Sequence, residues 1–309
     1  MYYLGLDVGG TTIKAGLVDE NNRVLESRST PTIADDLNGF TSKLTDLIHD
    51  FQKSTAIDAV GIGVPGLRSS KTGAIQTSPN IACLNNVNLE ELVADKVHLK
   101  IVSENDANAG AYAEFLCGAG VGLRNLAYLT LGTGLGSGLI LNGSLYTGTS
   151  GYGAEFGHTV VDPNGRVCGC GQRGCIETVV SATAIVQTAK DKFKGAGTTL
   201  LTEIPPPLTA ATIYEAAIRG DELAREVFKE TGRWLGIGCA NLINLLNPEL
   251  IIIGGGVMAS GEVLLGHAGD FARQYAFPPS YADCRIVQSK LWPDAGMIGA
   301  ALLARDRRK

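Results

Sequence analysis

Two stretches of this chain carry one design, and no other feature limits its fold as tightly. Leu4-Gly-Leu-Asp7-Val-Gly9-Gly10-Thr11-Thr12-Ile-Lys14-Ala-Gly-Leu-Val-Asp19 reads as an apolar strand, a turn of glycines and hydroxyls, and a second apolar strand. About 125 residues on, Leu126-Ala-Tyr-Leu-Thr-Leu131-Gly132-Thr133-Gly134-Leu-Gly-Ser-Gly-Leu-Ile-Leu141 repeats it and runs into an Asn142-Gly143 turn. Taken alone, the first turn is an ordinary hairpin turn, because neither G-x4-G-K-[ST] nor G-x-G-x-x-G occurs there. Taken together, adjacent glycines bring backbone N–H groups close to a phosphate without a Cβ in the way. Two such hairpins facing one another across a cleft can grip a polyphosphate from both sides.

The pattern between and after the repeats alternates strand and helix. Leu37, Phe40, Leu44, Leu47, Ile48 and Phe51 recur at helical spacing and predict a helix over 36–53. Ala59–Val64 is a buried strand that ends at Pro65-Gly66, and Ser78-Pro79-Asn80 is a loop of similar character. Leu89–Ala94 predicts a short helix. Ile101-Val-Ser103 is a strand running into Glu104-Asn105-Asp106-Ala-Asn108 and an alanine-rich helix. Asp106 thus falls at a strand-to-helix junction, where the helix dipole favours a carboxylate and where a plain capping aspartate would also sit. Further helices are predicted over Ser181–Phe193, Thr209–Arg219 and Glu222–Leu246, with a surface loop from Lys194 to Leu208. Leu250–Ile253 and Arg285–Ser289 are strands, and Gly296–Arg305 is a closing helix. The run Gly254-Gly255-Gly256-Val257 directly after a buried strand is either a strained loop or a place where a flat ligand meets bare backbone.

A net charge of −5 argues against nucleic acid, whose binders carry a basic face. The opening residues have no basic segment and meet a charge at Asp7, so they do not read as a secretory leader, and no apolar run has the length of a membrane span. A cytoplasmic protein is expected, with Cys83, Cys117, Cys239 and Cys284 as reduced core residues.

Cys168-Gly-Cys170-Gly-Gln-Arg-Gly-Cys175-Ile-Glu177 follows Gly153-Ala-Glu155-Phe-Gly-His158. Three cysteines and a histidine suit a tetrahedral Zn2+ site, and four protein ligands leave no open position for activating water, so the ion is read as a structural clamp. Disulfides or buried thiols are the alternatives, and the C-x-C-x4-C spacing is not a common ribbon or finger pattern.

These motifs, in this order and over essentially the whole chain, resemble the ROK family of bacterial sugar kinases and sugar-responsive repressors, most closely its glucokinases. The resemblance implies a two-domain α/β actin-like (ribonuclease-H-like) ATPase fold with the active-site cleft between the domains. The implied first domain spans 1–115, with the C-terminal helix 295–309 returning to it, and the second spans 116–294. Repressors of the family carry an added N-terminal helix-turn-helix, whereas here Tyr2 already begins the first strand, which favours the kinase branch.

The resemblance further implies ATP-dependent phosphorylation of a hexose, foremost glucose at C6, by a homodimer or homotetramer with no nucleic-acid or membrane partner. Asp106 is then the general base. Gly66, Asn80, Asn105, Glu155, His158 and Glu177 are the implied sugar ligands. Asp7, Gly9, Gly10, Thr11, Thr12, Gly132, Thr133, Gly134, Gly254, Gly255, Gly256 and Val257 are the implied ATP and Mg2+ residues. His158, Cys168, Cys170 and Cys175 are the zinc ligands. The chain departs from the family pattern at Thr12, where many members place a lysine, and at Ile81–Asn86, where glucokinases carry a Leu-Pro-Gly-Trp-like stretch. An N-acetylmannosamine, N-acetylglucosamine or fructose kinase is the nearest alternative, and a non-catalytic sugar sensor a more distant one.

Overall fold

The computed structural model describes residues 1–193, 199–202 and 206–307. The loop expected over Lys194–Leu208 lies largely outside the described residues; within it, Leu200–Thr202 form one short helical turn. The chain divides into two units, one of Met1–Arg124, Gly138–Ala154 and Lys290–Lys309, the other of Asn125–Ser137 and Glu155–Ser289. Among the described residues no helix is long and apolar enough to cross a membrane.

The first part of the chain runs β1 (Tyr2–Val8), β2 (Thr12–Asp19), β3 (Val24–Pro31), α1 (Leu37–Gln52), β4 (Ala59–Val64), β5 (Leu67–Arg68), β6 (Ile75–Thr77), α2 (Leu89–Val97), β7 (Ile101–Asn105) and α3 (Asp106–Cys117). It continues as β8 (Leu126–Leu131), β9 (Leu135–Leu141), β10 (Ser144–Tyr146), α4 (Glu177–Val180), α5 (Ala182–Phe193), α6 (Ala210–Ile218) and α7 (Glu222–Leu246). The last elements are β11 (Leu250–Gly254), α8 (Gly261–Tyr275), α9 (Pro278–Asp283), β12 (Arg285–Gln288) and α10 (Ala295–Asp306).

The repeat seen in the turns is a repeat of topology. One five-stranded sheet has the order β3-β2-β1-β4-β7 and the other β10-β9-β8-β11-β12. In the first, the β1–β2 and β2–β3 pairs are antiparallel while β1–β4 and β4–β7 are parallel. In the second, β9–β10 is antiparallel while β8–β11 and β11–β12 are parallel.

Strand alternation sorts the first sheet into two faces. Leu4, Leu6, Ile62 and Val64 point to one side, where Phe40, Leu44, Ile48 and Phe51 of α1 cover them. The α1 start is fixed by Asp36, whose carboxylate accepts from the Asn38 N–H at 3.0 Å. Tyr3, Val18, Ala59 and Val102 point to the other side and meet Ala301, Leu303 and Ala304 of α10. On that face Gly16, Gly5 and Gly61 stand in register across β2, β1 and β4. An added Cβ at Gly5 would lie 1.9 Å from the Met297 carbonyl oxygen, and one at Gly61 would lie 1.8 Å from that of Ala300. The glycine row is therefore the floor on which α10 rests by its backbone.

Because the obstacle at Gly61 is backbone, it cannot rotate away, and Gly61→Ala is expected to lower unfolding free energy by about 3 kcal/mol, the upper end of ordinary overpacking. Gly269→Ala in α8, where a Cβ meets nothing within 4 Å, is expected to leave stability unchanged or raise it by up to about 1 kcal/mol. Equal denaturant midpoints for Gly61→Ala and the parent would show that α10 does not seat this closely.

Candidate active site

In the first unit the site is built at the β7–α3 junction. The cap of α3 is Asn105 and not Asp106: its side-chain oxygen accepts from the Asn108 N–H at 3.0 Å, and its amide donates to the Gly66 carbonyl at 3.3 Å. Asp106 is the first helical residue, half-buried, with its carboxylate accepting the adjacent Ala107 N–H at 2.9 Å. Burial pushes the Asp106 carboxyl above its ordinary range, against the pull of the backbone N–H groups of Ala107 and Asp106. A carboxylate released from capping and made more basic by its surroundings is suited to receive a proton.

Asp7 lies near the end of β1, cross-strand from Lys14. Its carboxyl is raised to about 7, first by burial, then by the charge of Asp106, with Lys14 opposing and Asp294 adding to the rise. Lys14 itself forms an ion pair with Asp294 and lies 3.5 Å from the Pro293 carbonyl. A Cβ on Gly296 would stand 2.7 Å from the Asp7 carboxyl carbon, so the first turn of α10 backs directly onto this side chain. Gly9 N–H closes the β1–β2 turn on the Thr12 carbonyl at 2.9 Å, and Gly10, Thr11 and Thr12 are exposed. Asn80 packs beside this turn: a Cβ on Gly10 would come within 3.3 Å of its Cβ. The structure thus brings Asp7, Gly9–Thr12 and Asn80 together, and separately joins Gly66 to Asn105.

In the second unit Glu155 and His158 sit on a tight helical turn, Phe156–His158, that is pressed onto the start of β9. A Cβ on Gly157 would fall 2.1 Å from the Leu135 carbonyl, and the Phe156 N–H donates to Ser137 Oγ at 3.0 Å. The segment 160–175 closes on itself through bridges between Val160 and Cys175 and between Val167 and Arg173. His158, Cys168, Cys170 and Cys175 converge so that one donor atom from each lies within 4.8 Å of the others. Cys170 Sγ is 3.7 Å from Cys175 Sγ, and Cys168 Sγ is 3.6 Å from His158 Nδ1. Ligands about 2.3 Å from a tetrahedral ion stand about 3.8 Å apart, so the donor set and its spacing fit such an ion. Burial raises the Cys168 thiol, and this thiol is 2.8 Å from Glu177 Oε1.

Glu177 also faces the second glycine turn. Its Oε2 accepts from the Leu135 N–H at 3.3 Å and lies 2.5 Å from where a Cβ of Gly134 would be. The turn is held from behind by the Ala182 N–H on the Gly132 carbonyl at 2.9 Å and by the Thr183 hydroxyl on that of Thr133 at 2.9 Å. At the third glycine site Gly255 has a φ of +87°, and a Cβ there would meet the Leu131 carbonyl at 2.3 Å, whereas Gly256 is open. The run is thus both a forced backbone turn and a patch of bare backbone.

Three residues of this architecture escape a reading of the sequence. Asp294 and Gly296, which flank Asp7, carry no local motif. Ser137, which fixes the Glu155–His158 turn, shows only as a buried hydroxyl in an apolar strand.

The ROK family model matches residues 3–307. The glucokinase of Thermotoga maritima is 36% identical over 310 residues, covering 98% of this chain and 97% of that protein. The crystal structure of a ROK family glucokinase from Streptomyces griseus in complex with glucose and AMPPNP superimposes with a TM-score of 0.88 at 36% identity, covering 99% of this chain and 100% of that one. The xylose repressor of Caldicellulosiruptor bescii is 32% identical, covering 96% of this chain and 76% of the repressor. A duplicated five-strand sheet, a junction carboxylate, a Cys/His cluster and a match over nearly every residue lead to one conclusion: this chain belongs to the ROK family.

Proposed function

We propose that the protein is an ATP-dependent sugar kinase that transfers the γ-phosphoryl group of ATP to the C6 hydroxyl of glucose. The full-length likeness to glucokinases, one of them seen with glucose and AMPPNP, carries this conclusion. Asp106 is the general base. It accepts a hydrogen bond from the acceptor hydroxyl, orients that oxygen for in-line attack and receives the proton late in a loose transition state. Its raised basicity and its freedom from capping support the assignment. Asn105, Glu155, His158, Glu177, Gly66 and Asn80 hold the sugar hydroxyls. The turns Gly9–Thr12, Gly132–Gly134 and Gly254–Val257 hold phosphates and adenosine through backbone N–H groups.

Asp7 is the carboxylate for Mg2+, which takes few carboxylates and keeps several waters; the ion supplies charge neutralisation of the phosphates. A carboxyl raised to about 7 is one whose ionised form lacks sufficient compensation, as suits a place for a cation. The Cys168, Cys170, Cys175 and His158 set holds Zn2+, whose contribution is structural. Since Nδ1 of His158 faces Cys168, Nε2 keeps the hydrogen and donates to a sugar oxygen.

Three outcomes are expected. ADP release measured against a panel of hexoses and acetylated hexosamines will be fastest with glucose, and Asp106→Asn will reduce kcat by about 100-fold or more with little change in KM; no turnover with any sugar, or a fully active Asn variant, would defeat the assignment. Cys170→Ala will lower zinc content by elemental analysis and raise the KM for sugar, and active parent protein without zinc would refute the clamp. Asp7→Asn reads the cost of the buried carboxylate. A carboxyl raised in the folded state binds its proton more tightly there, so its ionisation destabilises the fold progressively as pH rises from its unfolded value toward about 7. Without nucleotide, the stability of Asp7→Asn relative to the parent will rise by about 1–2 kcal/mol between pH 5 and pH 8, a figure discounted for the side chain's partial exposure. The same stability difference at both pH values would contradict the shift.

A further inference from the structure

Glu104 precedes the Asn105–Asp106 pair and is only 5% exposed. One of its oxygens, Oε1, accepts from the Asn105 backbone N–H at 3.0 Å and from the Asn108 side-chain amide at 3.2 Å. The other, Oε2, accepts from the Arg307 guanidinium at 2.9 Å. Asn105 and Asn108 bracket Asp106, and they are tied to each other through the α3 cap. The Asn108 side-chain oxygen is buried with no partner among the described residues, so Glu104 alone sets which way that amide faces. Arg307 is the residue that closes α10, its N–H resting on the Leu303 carbonyl at 2.9 Å.

We propose that Glu104 and Arg307 are positioning residues for phosphoryl transfer: the guanidinium holds the Glu104 carboxylate, and that carboxylate holds the two asparagines that aim Asp106. Neither touches the reacting atoms. Arg307 acts from the side of Glu104 remote from Asn105, by satisfying the oxygen that the junction does not use. A buried carboxylate stripped of the cation that meets it among the described residues turns toward water, and this releases the Asn105 N–H and the Asn108 amide. The consequence falls on orientation of the base, hence on kcat, and not on affinity for either substrate, because the Asn105 side chain is held by Gly66 and the Asn108 N–H and not by Glu104.

The inference rests on Asp106 being the base, so Asp106→Asn runs in the same assay. In the full-length protein, kcat and both KM values are measured for Arg307→Met, Arg307→Lys, Glu104→Gln and the Glu104→Gln/Arg307→Met double variant, each per folded molecule as judged by near-ultraviolet circular dichroism. Arg307→Met is expected to lower kcat about 10-fold with both KM values within about 2-fold, and Arg307→Lys to recover most of the loss. The double variant is expected to be no worse than the poorer single one, because both break one link. Full kcat in Arg307→Met, a loss confined to KM, or no recovery with lysine would overturn the inference while an inactive Asp106→Asn leaves the base assignment standing. A fully active Asp106→Asn would overturn both.

Discussion

The first unit depends on how closely α10 lies on its sheet. Gly16, Gly5 and Gly61 remove side chains from one row across three strands, and the helix answers with small residues that include Gly299, where a Cβ would fall 1.7 Å from the Ala109 carbonyl of α3. One helix is thereby in van der Waals contact with the strand that carries Asp7 near its end and with the helix that begins at Asp106. Its first turn backs Asp7 through Gly296, and its far end supplies Arg307 to Glu104. Helix packing at ordinary side-chain separation would place neither end where it is. The glycines, which lack any chemistry of their own, are what let backbone geometry set the spacing of the carboxylates.

The second unit solves the same positioning problem without a glycine floor. Glu155 and His158 project from a turn too short to hold itself, so it is seated on β9 by Gly157 and Ser137. Glu177 is fixed at one oxygen by the β9 start and placed at the other beside Cys168. The cysteine segment has little apolar mass, and Cys170, Val160 and Val167 are exposed. A segment this polar gains too little from burial to keep its shape unaided, which is the physical case for a bound ion as its fastener.

Much of this was legible in the residues. Strand–turn–strand repeats predicted two like halves, and both sheets have the same strand order. The α1 helix and the long α7 helix follow from apolar spacing and from capping aspartates at Asp36 and Asp221. The third strand shows in the sequence only at Val24–Leu25 because its remaining residues, Glu-Ser-Arg-Ser-Thr-Pro, form a solvent-facing edge, yet it extends to Pro31. The α8 stripe is muted in the sequence, because Leu264, Ala268 and Ala272 keep helical spacing with mostly small side chains while Gly266 and Gly269 lower helix propensity. At the junction, Asn105 and Asp106 are equally good caps, and only the backbone decides that Asn105 takes the role. Contacts such as Gly296 with Asp7, or Arg307 with Glu104 across 203 residues of sequence, have no local signature at all.

The distribution of charge in the first unit explains why two carboxylates differ from their neighbours. Asp294 has Lys14, and Glu104 has Arg307. Among the described residues neither Asp7 nor Asp106 forms an ion pair, and Lys14 moderates Asp7 only from its engagement with Asp294. The fixed cations are thus spent on the carboxylates that hold the scaffold. Asp7 and Asp106 are left half-buried and short of compensation, and both are raised in basicity. On the function proposed above, a cation brought by a nucleotide would relieve Asp7, and a proton leaving a hydroxyl would relieve Asp106. On that proposal, carboxylates left this short of compensation are the positions where a cation or a proton is most favourably bound, so their cost belongs to the site and is not a defect of the fold.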